Sequence, residues 1–166
     1  MGGTAIEIDF LPFQETANLL YYGAWVAERY SGIEEFITRK PDSALPVIQQ
    51  ILNNVHKYSA SDVFRTFHKL EELKQRTAQE WEKMDILAVP TAGTIYRIEE
   101  VEADPIQLNT NLGYYTNFVN LLDLSAIAIP SGFRSDKIPF GITLIAPTLH
   151  DEILSAFGGR YHQSLN

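Results

Sequence analysis

The fold of this chain is decided by the stretch from Asn117 to Pro147, which reads NFVNLLDLSAIAIPSGFRSDKIPFGITLIAP. It contains two short apolar runs, Ala126–Ile129 and Ile142–Ile145, each bounded by proline and glycine. A polar segment, Phe133–Lys137, joins the two runs. Apolar runs this short, with such boundaries, are typical of buried strands rather than of helices. The stretch therefore predicts two buried strands separated by a polar connection.

Helical patterns alternate with strand patterns along the rest of the chain. The clearest helix is predicted from about Asp62 to Met84, where apolar residues recur at steps of three and four. Its first turn can be capped by Ser59 together with Asp62, or by Ser61. Further helices are predicted at about Phe13–Arg39 with an interruption at Gly23, Ser43–Asn53, Asn111–Asp123, and from Thr148 to Gly158–Gly159. Strands are predicted at Thr4–Phe10 and Asp85–Thr91, and the acidic segment Thr94–Pro105 is predicted to be an irregular loop. The alternation predicts an α/β fold with a mixed, mostly parallel sheet flanked by helices, in a single domain over residues 1–166.

The composition excludes several classes of function. The net charge of −8 argues against a nucleic-acid partner, because phosphate backbones are bound by clustered basic side chains. The absence of cysteine excludes disulfides, thiolate metal sites and a cysteine nucleophile, and it favours a cytoplasmic location. No apolar run approaches the roughly 20 residues that a membrane-spanning helix needs. The histidines have no metal-ligand spacing.

Short catalytic motifs are scarce in this sequence. It has no phosphate-binding loop, no nucleophile elbow and no HExxH segment. Ser131 lies between Pro130 and Gly132 at a strand end, where a nucleophile could lie, but a role in turn formation is favoured because no base is apparent. Asp85, at the start of a predicted strand, is a second candidate by position, but a role in ending the helix turn and meeting a backbone donor is favoured.

Tyr21 and Arg29 form the candidate binding pair. They are eight residues apart in the predicted helical stretch, so their side chains would project within about 80° of each other. A phenol and a guanidinium converging on one pocket suit a small planar carboxylate, which arginine binds with two hydrogen bonds. The alternative is that Tyr21 belongs to the core and that Arg29 pairs with Glu28 or Glu34 at the surface.

Several segments resemble the C-terminal part of the amidase signature family. They are Asp85–Thr91, Asn117–Leu124, Ala126–Phe133 and Pro139–Pro147. Within that family the chain is most similar to the allophanate hydrolases, through Ile8–Phe13, Leu20–Tyr30, Glu100–Asn109 and Leu112–Leu124. The resemblance covers nearly the whole chain, with the segments in order.

The resemblance implies amide hydrolysis by a serine that is activated through a second serine and a lysine. For the allophanate hydrolases it implies urea-1-carboxylate as substrate, with ammonia and carbon dioxide as products of urea degradation. The resemblance implies neither a metal nor an organic cofactor. It also implies that Tyr21 and Arg29 hold the substrate carboxylate. The glycine–serine segment that carries the serines has no counterpart in this sequence, and no lysine here matches the catalytic one.

We therefore expect a truncated or split allophanate hydrolase-type amidase that is inactive alone and whose catalytic residues lie elsewhere. Its partners would be a small carboxylated amide or urea substrate and an N-terminal amidase chain. The alternative is a non-catalytic binding or assembly module that self-associates or complements another chain. An independent small enzyme built on Ser131 or Asp85 is a third hypothesis.

Overall fold

The computed structural model describes residues 2–165 as a series of helices and one small sheet. The helices are α1 (Leu11–Tyr22), α2 (Val26–Arg39), α3 (Pro46–Asn53), α4 (Ala60–Trp81), α5 (Ile98–Ala103), α6 (Pro105–Leu112), α7 (Phe118–Leu121) and α8 (Asp151–Gln163). The strands are β1 (Leu87–Pro90), β2 (Ser125–Phe133) and β3 (Pro139–Ala146), and short 3₁₀ turns occupy Pro41–Ser43 and Asn54–Lys57. The mixed helix-and-sheet class is confirmed.

The sheet has three strands in the order β1-β3-β2, and both pairs are antiparallel. The predicted mostly parallel orientation is therefore wrong for the described residues. The reason is the connection between β2 and β3, residues 134–138, which suits a hairpin but is too short for the crossover that parallel strands need. The pairing of β2 with β3 shifts register between Pro130 and Gly132, so β2 contains a bulge there.

The two faces of the sheet are covered by different helices. Alternating side chains of β3 point to opposite faces, so Ile145 packs with Phe13 of α1 and Phe118 of α7 in one core. Leu144 packs on the other face with Leu154 of α8 in a second, smaller core. The run Ile142–Ile145 therefore contributes to both cores, while the run Ala126–Ile129 contributes to the smaller one through Ile129.

Helix α4 begins with the capping box that the sequence predicts. The Ser59 hydroxyl accepts a hydrogen bond from the Asp62 backbone N–H, and the Asp62 carboxylate accepts one from the Ser59 backbone N–H at 2.8 Å. Hydrogen bonds from the Ser59 hydroxyl and then from Arg65 hold the pKa of Asp62 well below its ordinary value. Leu70, Leu73, Thr77 and Glu80 are the buried residues of the helix.

Two predicted elements at the N-terminal end differ from the structure. Thr4–Phe10 forms no strand, because the segment is largely exposed and pairs with no strand among the described residues. It is fixed instead where the Asp9 backbone N–H donates to the Glu80 carboxylate at 3.1 Å. The helical stretch Phe13–Arg39 is not one helix: it is divided at the predicted interruption, Gly23, where α1 ends at Tyr22 and α2 begins at Val26.

Three further boundaries also differ. The segment Thr94–Pro105 contains helix α5, whose acidic first turn favours a helix start and where the Arg97 backbone N–H donates to the Glu100 carboxylate at 2.7 Å. The stretch Asn111–Asp123 holds the end of α6 and the short α7 rather than one helix. Helix α8 continues past Gly158–Gly159 to Gln163. Gly158 is required for close packing rather than for a helix end, since a Cβ atom there would lie 2.6 Å from the Cδ1 atom of Ile129.

Candidate functional site

The candidate site forms at the break between α1 and α2. Gly23 ends α1 in an extended conformation, and Ala24 and Trp25 make the turn that leads into α2. A Cβ atom at Gly23 would lie 2.9 Å from the Leu19 carbonyl oxygen, which is closer than Cβ atoms come to backbone in real structures. The break therefore depends on a glycine at this position, and it changes the direction of the chain before Arg29.

Tyr21 and Arg29 lie together across this break. The Arg29 guanidinium donates a hydrogen bond to the Leu20 carbonyl oxygen, and its Cζ atom lies 5.7 Å from the centroid of the Tyr21 ring. That distance is within the range of a cation–π interaction. The predicted proximity is present, but its predicted cause is wrong, because the two residues lie on different helices rather than on one continuous helix. The alternative pairing of Arg29 with Glu28 or Glu34 is not among the ion pairs of the described residues.

Tyr21 and Arg29 line a cavity of about 370 Å³, the Tyr21–Arg29 cavity, which lies among α1, α2, α3 and α6. Its walls are largely aliphatic, and the polar side chains on it, besides the pair, are Asn54, Tyr58 and Asn109. Arg29 is the one side chain on its lining, within residues 2–165, that carries a full charge at neutral pH. One cation beside apolar walls suits a small ligand with a single negative charge.

A second, larger depression lies at one end of the sheet. This sheet-end groove has a volume of about 550 Å³ and is lined mainly by Thr91–Ile95, Ala128–Pro130 and Pro139–Gly141. Its charged lining residue, Arg134, forms an ion pair with Asp136 at 3.1 Å. Because the groove is apolar and its one cation is already paired, it is a weaker candidate for binding an anion.

Ser131 and Asp85 are separate from the Tyr21–Arg29 cavity. Ser131 lies at the bulge of β2, and its hydroxyl shares a hydrogen bond of 2.5 Å with the Tyr161 hydroxyl of α8. Among the hydrogen bonds of the described residues, none joins Ser131 to a histidine or a carboxylate. The arrangement therefore gives Ser131 a structural contact, without the base that a serine nucleophile needs.

Within residues 2–165, no cluster of three or more histidine, aspartate or glutamate side chains could hold a metal ion. In the same residues, no helix combines the length and the apolar character that crossing a membrane requires.

Reasoning from the sequence missed several parts of the cavity. The Leu20 carbonyl oxygen is a backbone group at a helix end, and no side-chain pattern marks it. Asn54, Tyr58 and Asn109 come from segments distant in sequence, so only the packing of α3 and α6 against α1 and α2 brings them to one cavity. The interruption of the helical pattern at Gly23 is the sequence signal that did locate the break.

Comparison with known proteins identifies the class of protein that this fold represents. The sequence model of the amidase family, described as Amidase, matches residues 1–154. The chain therefore belongs to the amidase family. It is 42% identical over 166 residues to the urea amidolyase of Saccharomyces cerevisiae, an alignment that covers 99% of this chain and 9% of that protein. The urea amidolyase of Lachancea kluyveri is 41% identical over 162 residues, with 96% of this chain and 9% of that protein covered.

Solved structures show which members of the amidase family this chain resembles in fold. The allophanate hydrolase of Kluyveromyces lactis superposes with a TM-score of 0.88 at 39% identity, covering 94% of this chain and 26% of that chain. The urea amidolyase of the same organism gives a TM-score of 0.88 at 40% identity, with 94% and 10% covered. The resemblance to allophanate hydrolases is thus confirmed. This chain spans about a quarter of the solved allophanate hydrolase and about a tenth of the urea amidolyases that it matches.

Proposed function

We propose that this chain is the substrate-carboxylate recognition part of an allophanate hydrolase-type amidase. The observation that carries the proposal is the position of Arg29, which is the charged group of the Tyr21–Arg29 cavity and lies against the Tyr21 ring. The ligand would be urea-1-carboxylate or a similar small carboxylated amide. The similarity to allophanate hydrolases supports this substrate class.

In this proposal Arg29 and Tyr21 bind and orient, and they take no part in bond breaking. A guanidinium has five N–H donors, and the Leu20 carbonyl occupies one edge of the Arg29 side chain, which leaves donors for a carboxylate. The Tyr21 hydroxyl would add a neutral hydrogen bond. Fixing one end of a small substrate in this way brings its amide end to a constant place, where a nucleophile can attack it.

We further propose that the nucleophile comes from another part of an amidase domain, either in the same polypeptide or in a partner chain. Residues 1–166 hold no glycine–serine segment of the type that the amidase resemblance implies, and Ser131 has no base among its hydrogen bonds within residues 2–165. The 166 residues would then be the C-terminal portion of an amidase domain. They would recognise the substrate and be inactive alone.

The recognition role predicts the effect of removing the guanidinium. Malonate carries two carboxylates on one methylene group, and Arg29 can bind one of them, so it is a stable probe for the cavity. We expect Arg29→Ala to weaken malonate binding by at least about tenfold, because the charge-assisted hydrogen bonds are lost. Isothermal titration calorimetry of both proteins measures this change.

The matched control is Arg39→Ala. Arg39 lies on the same helix, is exposed, pairs with Glu35 and does not line the cavity. The Arg39→Ala substitution should leave the affinity for malonate unchanged. Equal binding to wild type and Arg29→Ala, or no binding to wild type, would contradict a recognition role for the pair.

A second candidate function is that of a non-catalytic binding or assembly module. The observation that favours it is the open side of β2, which pairs with β3 only, among the described residues. Ala126 and Ala128 of β2 are exposed, and Phe133 at its end is 77% exposed. Open strand edges with apolar neighbours pair readily with further strands, so this side suits either the remainder of an amidase domain or a second copy of the chain.

A further inference from the structure

Residues 26–57 form a unit that packs mainly on itself. This α2–α3 unit contains α2, α3 and the two 3₁₀ turns, and the main packing contacts of these elements are with one another. The Tyr30 ring lies 5.9 Å from the His56 ring, and the Gln49 side chain donates a hydrogen bond to the Pro41 carbonyl oxygen at 2.9 Å. The unit is therefore held together by its own contacts.

The α2–α3 unit has few ties to the rest of the chain. Within residues 2–165, neither hydrophobic core includes a residue of the unit. Apart from bonds to the segments that connect it, one hydrogen bond leaves the unit in the same part of the chain, from the Arg29 guanidinium to the Leu20 carbonyl oxygen. A body with so few outside contacts can move as a whole at low cost in free energy.

The two connections of the α2–α3 unit lie side by side. Residues 23–25 lead into the unit and residues 58–59 lead out of it, and Gly23 and Tyr58 line one depression of about 240 Å³. Both of these residues have extended backbone. Ser59 is fixed by the capping box of α4, so the outer end of the second connection stays with the rest of the chain. Two adjacent connections of this kind define a hinge axis.

Rotation about this axis would change the Tyr21–Arg29 cavity. The α2–α3 unit supplies one wall of the cavity, which includes Val47 and Ile51, whereas α1 and α6 supply the other, which includes Ile106. Arg29 lies on the unit and Tyr21 lies on α1, so the pair itself spans the hinge. Moving the unit toward α6 would bring the two apolar walls together and exclude water, and moving it away would admit a ligand.

From these features we infer that the α2–α3 unit is a lid, which rotates about residues 23–25 and 58–59 to open and close the cavity. Arg29 latches the lid to α1 through the Leu20 carbonyl oxygen. The lid and its latch do not depend on which ligand the cavity binds. A carboxylate held by Arg29 and Tyr21 together would favour the closed lid, because it contacts both sides of the hinge. That last step rests on the proposed function.

Spin labels can measure the lid directly, since the chain has no native cysteine. Asn53→Cys on α3 and Gln75→Cys on α4 place one label on the lid and one outside it, both at exposed positions. Double electron–electron resonance gives the distribution of the distance between the labels, in samples diluted with unlabelled protein so that only pairs within one molecule contribute. We expect Arg29→Ala to broaden this distribution relative to wild type, because the latch is lost. Malonate should narrow the wild-type distribution.

The control pair is Gln75→Cys with Glu152→Cys on α8, because α4 and α8 pack in the two cores. Arg29→Ala should leave its distance distribution unchanged, and Arg39→Ala should leave that of the lid pair unchanged. Broadening of the control pair as well would mean that the whole fold loosens, which overturns the inference. If Arg29→Ala leaves the lid pair as in wild type while malonate still binds wild type, the inference fails and the proposed function stands. If wild type does not bind malonate while Arg29→Ala broadens the lid pair alone, the proposed function fails and the lid stands.

Discussion

The carbonyl oxygens in the last turn of α1 need hydrogen-bond donors, because the helix ends before its own N–H groups can reach them. No basic residue lies in that turn to supply one. Arg29, from the next helix, donates to the Leu20 carbonyl and so caps α1 from outside. Its guanidinium is therefore fixed before any ligand arrives, which lowers the entropy that binding would otherwise lose.

Gly23 provides a test of this arrangement at the residue scale. Gly23→Ala places a Cβ atom 2.9 Å from the Leu19 carbonyl oxygen, so the break must shift. We expect a loss of about 1–3 kcal/mol in the free energy of unfolding, together with weaker malonate binding because Arg29 moves. Urea denaturation and calorimetry measure the two effects.

Gly32→Ala is the matched control, since Gly32 is inside α2 and a Cβ atom there meets nothing within 4 Å. It should stabilise the protein by about 0.5–1 kcal/mol, as alanine replaces glycine inside a helix, and leave malonate binding unchanged. Similar effects of the two substitutions would show that the break does not position Arg29.

At the scale of elements, α4 links the N-terminal part of the chain to the rest. Arg76 of α4 donates to Glu15 of α1 at 2.6 Å, and Glu80 accepts from the Asp9 backbone N–H at 3.1 Å. Hydrogen bonding from Lys83 lowers the pKa of Glu80, so its carboxylate stays charged to lower pH than usual. The helix thus holds both α1 and the segment before it against the sheet.

The capping box of α4 makes stability depend on pH. The pKa of Asp62 is lowered in the folded state, so its carboxylate stabilises the fold fully above the pKa of an unfolded aspartate, about 3.9. That contribution is lost as the pH falls through the lowered native pKa. Wild type and Asp62→Asn should therefore differ most in stability above about pH 5 and converge in strong acid. Urea denaturation at a series of pH values measures this.

Two further variants support that test. Asp42→Asn changes an exposed aspartate outside α4 and should not reproduce the pH dependence. Ser59→Ala removes the hydroxyl that accepts from the Asp62 N–H, and it should cost about 1 kcal/mol. A stability difference between wild type and Asp62→Asn that is constant with pH would contradict the role of the charged carboxylate.

For the whole molecule, the sequence predicts which helices and strands are present better than it predicts how the strands are arranged. The apolar periodicity located α4, and the two apolar runs located β2 and β3, because burial acts directly on the sequence pattern. Strand direction depends on connections, and the short segment 134–138 between the two runs was the signal for an antiparallel hairpin. Tertiary packing brings Asn109 to the cavity that Tyr21 and Arg29 line, and no local sequence pattern predicts such packing.

The open side of β2 leads to a prediction for the whole chain. We expect the 166-residue protein to self-associate, with an apparent mass that rises with concentration in static light scattering, because β2 leaves its edge and Phe133 uncovered. Phe133→Lys should reduce this association. The control is Leu149→Lys, since Leu149 is 90% exposed but lies outside β2. A protein that is strictly monomeric at all concentrations would contradict the assembly proposal.

On the proposal that the nucleophile lies outside residues 1–166, a protein of these residues alone should release no ammonia from urea-1-carboxylate. Turnover by the pure chain that survives Ser131→Ala would overturn the proposal that the nucleophile lies elsewhere.

The break between α1 and α2 also gives the molecule an optical property. Trp25 lies within the turn, next to Val26 on the cavity wall, and its ring is 5.1 Å from that of Phe67 on α4. The other tryptophan, Trp81, is also half-buried against the main core, with its ring 6.1 Å from that of Phe13. Indole fluorescence responds to the polarity around the ring, so emission from Trp25 is sensitive to displacement of α2 at the cavity. Trp81→Phe leaves Trp25 as the one indole of the chain, and its spectrum then follows the site.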